Sequence, residues 1–184
     1  MSPAASSPLE HFATGFDPIA APDARVLILG SLPSQQSLRK HEYYGNPLNV
    51  FWRVMGELFG AGPKFPYAER ADRLTRCGIA LWDVLHSSVR PGSMDAAIDQ
   101  SSATPNDFQM FFDHHPMLEL LCFNGKKAAQ LYERLVAAQG IANIDGLEYK
   151  TMPSTSPAYA AMQYDEKVRQ WSAIRRSAVE NRRL

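Results

Sequence analysis

The residues best able to do chemistry in this chain fall in one stretch, VLILGSLPSQQSLRKHEYYGNPLNVFW, from Val26 to Trp52. A short apolar run, Val26 to Leu29, leads into Gly30-Ser31-Leu32-Pro33-Ser34, and a polar-aromatic cluster follows: Tyr43, Tyr44, Asn46, Pro47, Asn49, Phe51 and Trp52. A strand that ends in a Gly-Pro-Ser loop offers backbone N–H groups and hydroxyls at the carboxyl edge of a sheet, where open α/β folds bind ligands. Two tyrosines and an asparagine close behind supply a stacking face and an amide. The combination suits gripping a planar heterocycle.

Three further polar points follow apolar runs. Asp83 follows Gly78-Ile79-Ala80-Leu81-Trp82, Asn124-Gly125 follows Leu118 to Phe123, and Pro153-Ser154-Thr155-Ser156-Pro157 follows Leu147 to Met152. With Arg25 to Leu29, these runs read as four strands. Helical spacing covers Asn49 to Phe59, Tyr67 to Arg76, Lys126 to Gln139, and Asp165 to about Asn181. Thr104-Pro105 reads as an N-cap and first-turn proline opening a helix to His114. His86 to Ala103, with Arg90-Pro91-Gly92-Ser93, reads as an exposed loop. Strands alternating with helices across crossover-length linkers predict an α/β fold, a three-layer α/β/α sandwich around a roughly four-stranded parallel sheet. All carboxyl ends of such a sheet share one rim, so the four polar points converge there. Residues 1–22, rich in Pro, Ala and Ser, read as an N-terminal arm pinned by Phe12, Phe16 and Ile19, and residues 23–184 as a single domain.

The bulk composition narrows the class. An apolar fraction of 45% and a charged fraction of 21% are those of a soluble globular protein. Lys+Arg and Asp+Glu balance at 19 each, so bulk charge does not advertise nucleic acid, although local patches matter more than the sum. Cys77 and Cys122 sit in apolar runs and read as buried thiols of a reducing cytosol. His114-His115 closes a helix with no third ligand by spacing, so no metal is expected. The N-terminus has no signal-peptide pattern, and no apolar run approaches about 18 residues, so the expectation is a cytoplasmic protein that does not span a membrane. A small-molecule hydrolase using Ser31 or Ser34 is disfavoured, because no Gly-x-Ser-x-Gly elbow is present.

The motif order resembles the uracil-DNA glycosylase superfamily. Its first motif is a strand followed by Gly-x-(Asp/Asn)-Pro, here Gly30-Ser31-Leu32-Pro33. Its mismatch-specific branch continues with His-Pro-x-Asn-x-Phe-Trp, here Asn46-Pro47-Leu48-Asn49-Val50-Phe51-Trp52 with Asn46 replacing the histidine. Its second motif, a (His/Asn)-Pro-Ser loop, is here Met152-Pro153-Ser154-Thr155-Ser156-Pro157. Leu32 stands where better-known branches place a water-activating Asp or Asn. The Gly-Ser-x-Pro form, followed by Tyr-Tyr, Asn-x-Phe-Trp and Pro-Ser-Thr-Ser-Pro, is similar to the hypoxanthine-DNA glycosylase branch.

That resemblance implies a monofunctional DNA glycosylase, monomeric and free of metal or other cofactor. Its partner would be DNA containing a deaminated base, hypoxanthine first and uracil or thymine opposite guanine second. Asn49 would orient the attacking water, and Ser31 with Gly30 would bring backbone N–H groups to bear on the departing base. Tyr44 and Phe51 would supply the aromatic wall for the flipped base, and Asp83 would read its edge. Ser34, Ser37, Ser154 and Ser156 would meet phosphates, with Lys126 and Lys127 adding charge at a helix start. Thr155 to Tyr159, Pro157 included, would form a wedge. The residues also admit plainer roles: Asn49 as a helix cap, Phe51 and Trp52 as core, Asp83 as a loop cap, and the whole fold as a lesion-binding module that does not cut. His41 and His86 are left unassigned, and Arg169, Arg175, Arg176, Arg182 and Arg183 read as a solvated face.

Overall fold

In the computed structural model, which describes residues 11–140 and 146–178, strands are numbered β1–β7 and helices α1–α6 along the chain. The run VLILG forms β2 (Val26–Gly30), buried along its whole length as a strand covered on both faces must be. It pairs in parallel with β3 (Ile79–Asp83) on one side and β6 (Leu120–Asn124) on the other, and β7 (Glu148–Met152) completes the order β3-β2-β6-β7. The register sets Gly30 directly opposite Asp83, and Asn124 opposite Met152. Four strand ends therefore reach one edge at the same height.

Helices flank this sheet as the alternating pattern requires. α2 (Phe51–Phe59) buries Phe51, Trp52, Val54, Met55 and Leu58 and stops at Gly60 in a left-handed cap. It packs with α3 (Tyr67–Arg76) and α6 (Tyr164–Trp171) through edge-on contacts of Trp52 with Tyr67 and of Phe51 with Trp171. A second aromatic cluster joins the sheet to α4 (Phe108–His114) and α5 (Lys126–Leu135), with Trp82 against Phe108 and Phe111, and Tyr132 against Phe108 and Phe123. The short α1 (Gln35–Lys40) is capped by Ser34, whose side chain accepts from Ser37 N.

Four expectations are corrected. The segment read as an exposed loop contains β4 (Leu85–Val89), antiparallel to β1 (Phe12–Thr14) and β5 (Thr104–Pro105) in a small second sheet. Thr104-Pro105 is therefore a strand, and α4 starts at Phe108 behind Asp107, whose carboxylate accepts from Met110 N. Backbone pairing with β4 satisfies Thr104 and Pro105 better than a first helical turn would. Arg90, placed on that loop, is 0% exposed. Of the arm, residues 1–10 lie outside the described residues, and the rest joins the domain: Ile19 exchanges backbone hydrogen bonds with Leu81 at 2.9 and 2.8 Å. Phe16 packs edge-on to Tyr43, whereas the Phe12 side chain is 52% exposed and its residue is held by backbone pairing opposite Val89. The last helix gives way after Trp171 to tight turns over Ser172–Arg176, and Asn181, Arg182 and Arg183 lie outside the described residues. Cys77 and Cys122 are free and buried, and burial pushes the Cys122 thiol up to about 12.

Candidate active site

A cavity of about 450 Å³ opens at the carboxyl edge of the main sheet, between the loop after β2, the Tyr44–Asn49 segment and the loop after β7. Its floor is the Gly30–Asp83 pair. A methyl group on Gly30 would collide with Asp83 Oδ1 and lie 3.5 Å from the Tyr44 hydroxyl, so only glycine leaves room for the carboxyl beside the phenol there. Asp83 is 4% exposed. Its Oδ2 and the Tyr44 Oη are both buried and find no hydrogen-bond partner among the described residues. Burial raises the Asp83 carboxyl to about 7, with Arg90 opposing that rise and Asp95 adding to it. Burial also holds the Tyr44 phenol above its usual range; the nearby Asp83 charge adds to the effect, and the Asn124 carboxamide, which also lines the cavity, opposes it. Two unpaired polar atoms at the bottom of one cavity cost free energy unless something arrives to bond them.

Tyr44 sits in the left-handed backbone region at φ 55°, uncommon for an aromatic residue. Its ring stacks on Phe51 at 3.7 Å between centroids and 20° between planes. Phe51 is 0% exposed and does not line the cavity, so its assignment to base contact is corrected: it backs the Tyr44 ring and leaves the opposite face of that ring to a ligand. Tyr43 and Trp52 brace this wall. The Tyr43 hydroxyl donates to Asp17 O at 3.1 Å, and the Trp52 indole donates to Tyr43 O at 2.8 Å.

Asn49 lines the cavity just ahead of α2, whose N-cap is Val50, and its Oδ1 accepts from Phe51 N at 3.0 Å. The expectation of Asn49 as the helix cap is therefore corrected by one position, and the bond to Phe51 fixes how the carboxamide points. Backbone contact from Val50 N to Thr155 O at 3.1 Å ties this segment to the loop after β7.

The hydroxyl residues divide. Ser34, Ser154 and Ser156 are partly exposed at the cavity, and Pro157 is exposed at its mouth beside Ala158 and Tyr159. Ser37 also lines the cavity but is 2% exposed, and its hydroxyl accepts from Gly45 N at 3.0 Å, so it holds the tyrosine segment in place. Thr155 is 1% exposed and locked in a two-way pair with Asn124: Thr155 N donates to Asn124 Oδ1 at 2.9 Å, and Asn124 Nδ2 donates to Thr155 Oγ1 at 2.8 Å. It shapes the loop and is absent from its outer surface. His41, His86, Lys126 and Lys127 do not line the cavity.

Two residues that the sequence reading passed over belong to the site. Arg90 lies buried under the loop after β2, donating to Leu32 O at 3.1 Å and to Pro33 O. Asp95 lines the cavity from the opposite wall, and Ser31 Oγ donates to its Oδ1 at 2.5 Å. Leu85 and Val89 are the only apolar residues of the run Leu-His-Ser-Ser-Val, so no hydrophobic alternation marked the strand that carries the following residues back across the sheet edge.

Comparison with known proteins gives a consistent set of matches. A family model for the uracil DNA glycosylase superfamily matches residues 18–176. A hypoxanthine DNA glycosylase from Methanosarcina acetivorans is 37% identical over 161 residues, covering 87% of this chain and 96% of that protein. One from Methanosarcina barkeri is 41% identical over 127 residues, covering 68% and 78%. The solution structure of a Methanosarcina acetivorans protein described as a candidate uracil DNA glycosylase superposes with a TM-score of 0.73 at 36% identity, covering 90% of this chain and 97% of that one.

Proposed function

The chain belongs to the uracil DNA glycosylase superfamily, and from that membership we infer a hydrolase that cleaves the N-glycosidic bond of a deaminated base in DNA, with hypoxanthine as its first substrate. The observation that carries the choice of base is the unpaired pair at the cavity floor, Tyr44 Oη and Asp83 Oδ2. Hypoxanthine presents an N–H beside a carbonyl. A phenol held protonated donates to the carbonyl, and the carboxyl oxygen accepts from the N–H, so the ligand satisfies both orphaned atoms at once. Adenine presents these groups reversed. Uracil shares the lactam edge, which makes it the second substrate.

The flipped base stacks on the free face of Tyr44 while Phe51 supports the other face. The Gly30 and Ser31 backbone N–H groups bear on the negative charge leaving with the base. Asn49, with one lone pair spent on Phe51 N, orients water with the other. Ser34, Ser154 and Ser156 meet the flanking phosphates, and Pro157 to Tyr159 enter the gap left in the stack. The protein acts as a monomer in the cytoplasm and uses no metal or redox cofactor.

A panel of end-labelled oligonucleotides carrying hypoxanthine, uracil opposite guanine, thymine opposite guanine or unmodified adenine, followed by alkali cleavage of abasic sites, tests this reading. Excision should rank hypoxanthine, then uracil, with adenine untouched. Asn49→Ala should slow single turnover at least about tenfold while DNA affinity holds. Leu32, 5% exposed where other branches carry a water-activating acid, favours a second reading as a lesion-binding module, and binding without excision across the panel would select it.

A further inference from the structure

We propose that Asp95, paired with Ser31, is the carboxylate that takes the proton from the attacking water, replacing the acid that position 32 lacks. This rests on the glycosylase reading above. Asp95 reaches the cavity from a separate segment, just after β4 and at the start of the single turn Asp95–Ala97. Three ties hold that segment over the cavity: Gln35 N donates to Ser93 Oγ at 3.0 Å, Ser31 Oγ donates to Asp95 Oδ1 at 2.5 Å, and Ile98 is buried at 4% exposure. The Ser31 bond has the length of a charge-assisted O–H···O⁻ contact. It occupies one carboxylate oxygen. Oδ2 takes no hydrogen bond among the described residues.

Depth in the cavity assigns the role. The base-reading atoms, Asp83 Oδ2 and Tyr44 Oη, lie buried at the floor beside Gly30. Ser31 is the next residue outward, and Asp95 is partly exposed, while Ser93 and Met94 beside it are open to solvent. A base seated on the floor directs its glycosidic bond toward the mouth, so the sugar passes at the level of the Ser31–Asp95 pair. The buried Arg90 guanidinium lies within electrostatic reach of Asp95 and Asp83 together. Leu32 has no oxygen to offer, and Asn49 has an amide that cannot accept a proton at neutral pH. Asp95 is the base available at the height of the sugar.

The step balances without a further reactant. The water oxygen bonds to C1′ and its proton passes to Asp95. The C1′–N bond breaks with its electron pair leaving on the base, which takes a proton from solvent. Asp95 then returns its proton to solvent. The anionic carboxylate also faces the positive charge that develops on the sugar.

The test compares variants in single-turnover excision on the substrate that the wild type cuts fastest. Asp95→Asn keeps an oxygen to accept the Ser31 hydroxyl, so a tie that merely shapes the loop survives it. The expected result is a loss of about a hundredfold or more in rate with DNA affinity unchanged, in the range of general-base removal. Asp95→Ala should be equally slow and partly restored by added formate, which supplies a carboxylate but cannot rebuild a loop. An Asp95→Asn enzyme at the wild-type rate overturns the assignment, as does a slow variant that has lost DNA binding or an Asp95→Ala enzyme that formate leaves unchanged. A wild type that excises no base on the panel overturns the glycosylase reading, and this assignment with it.

Discussion

A carboxyl group sealed at the end of β3 makes stability depend on pH. Asp83 is raised to about 7 in the folded chain from an ordinary value of 3.8, chiefly by burial. Between those values the folded state holds a proton that the unfolded state has released. The stabilising linkage is therefore complete below the unfolded value and lost as pH rises through the folded one. Asp83→Asn should be more stable than the wild type at pH 8, by on the order of 1–3 kcal/mol, and indistinguishable near pH 4, as read by urea unfolding at both. Equal stabilities at pH 8 would remove the buried charge from the account. At this scale the cavity was legible where residue type and motif spacing agreed: Gly30, Tyr44, Asn49 and Asp83 all line it. The burial of Ser37 in α1 and of Thr155 in its loop was not readable, because a hydroxyl in a polar stretch does not reveal which side of the chain it faces. Phe51 was misread because an aromatic ring that stacks on another looks the same in sequence as one that stacks on a ligand.

The loop Pro153 to Pro157 holds its shape through bonds to two other elements. Asn124, at the end of β6, grips Thr155 from both sides of its carboxamide, and the Trp171 indole of α6 donates to Pro153 O at 2.9 Å. Asn124→Ala should cost about 1–3 kcal/mol, since Thr155 N and Oγ1 would be left buried without partners. It should weaken DNA binding more than it slows the bound complex, because the loop carries the rim and lies away from the bond being broken. A variant with unchanged affinity would free the loop from this role. The elements of the main sheet were readable from unbroken apolar runs. The second sheet was not: β1 and β5 have three and two residues, and β4 reads Leu-His-Ser-Ser-Val with no apolar alternation, so its signal lies in pairing partners distant in the chain. Arg90 and Asp95 went unread for the same reason, since both take their places from that pairing.

Across the whole molecule, acidic and basic residues cancel at 19 each. The polar side chains at the cavity rim are largely neutral hydroxyls, so phosphate contact releases few counterions. The logarithm of DNA affinity should fall against the logarithm of salt with a slope no steeper than about −3, measured by fluorescence anisotropy from 50 to 200 mM salt. A much steeper slope would place a cationic track elsewhere on the surface. The cavity also has no local existence along the polypeptide. Its walls come from the ends of β2 and β3 and the turn after β7, which the parallel register sets at one height, and from the crossing after β4, which the antiparallel second sheet brings across. During synthesis, a nascent chain that has emerged only as far as β6 already carries the phenol, the carboxamide and both acids, yet lacks the rim that closes over them. Translation must run past Pro157 before an extruded nucleotide has anywhere to lodge, so partial products from a stalled ribosome would be silent toward the genome.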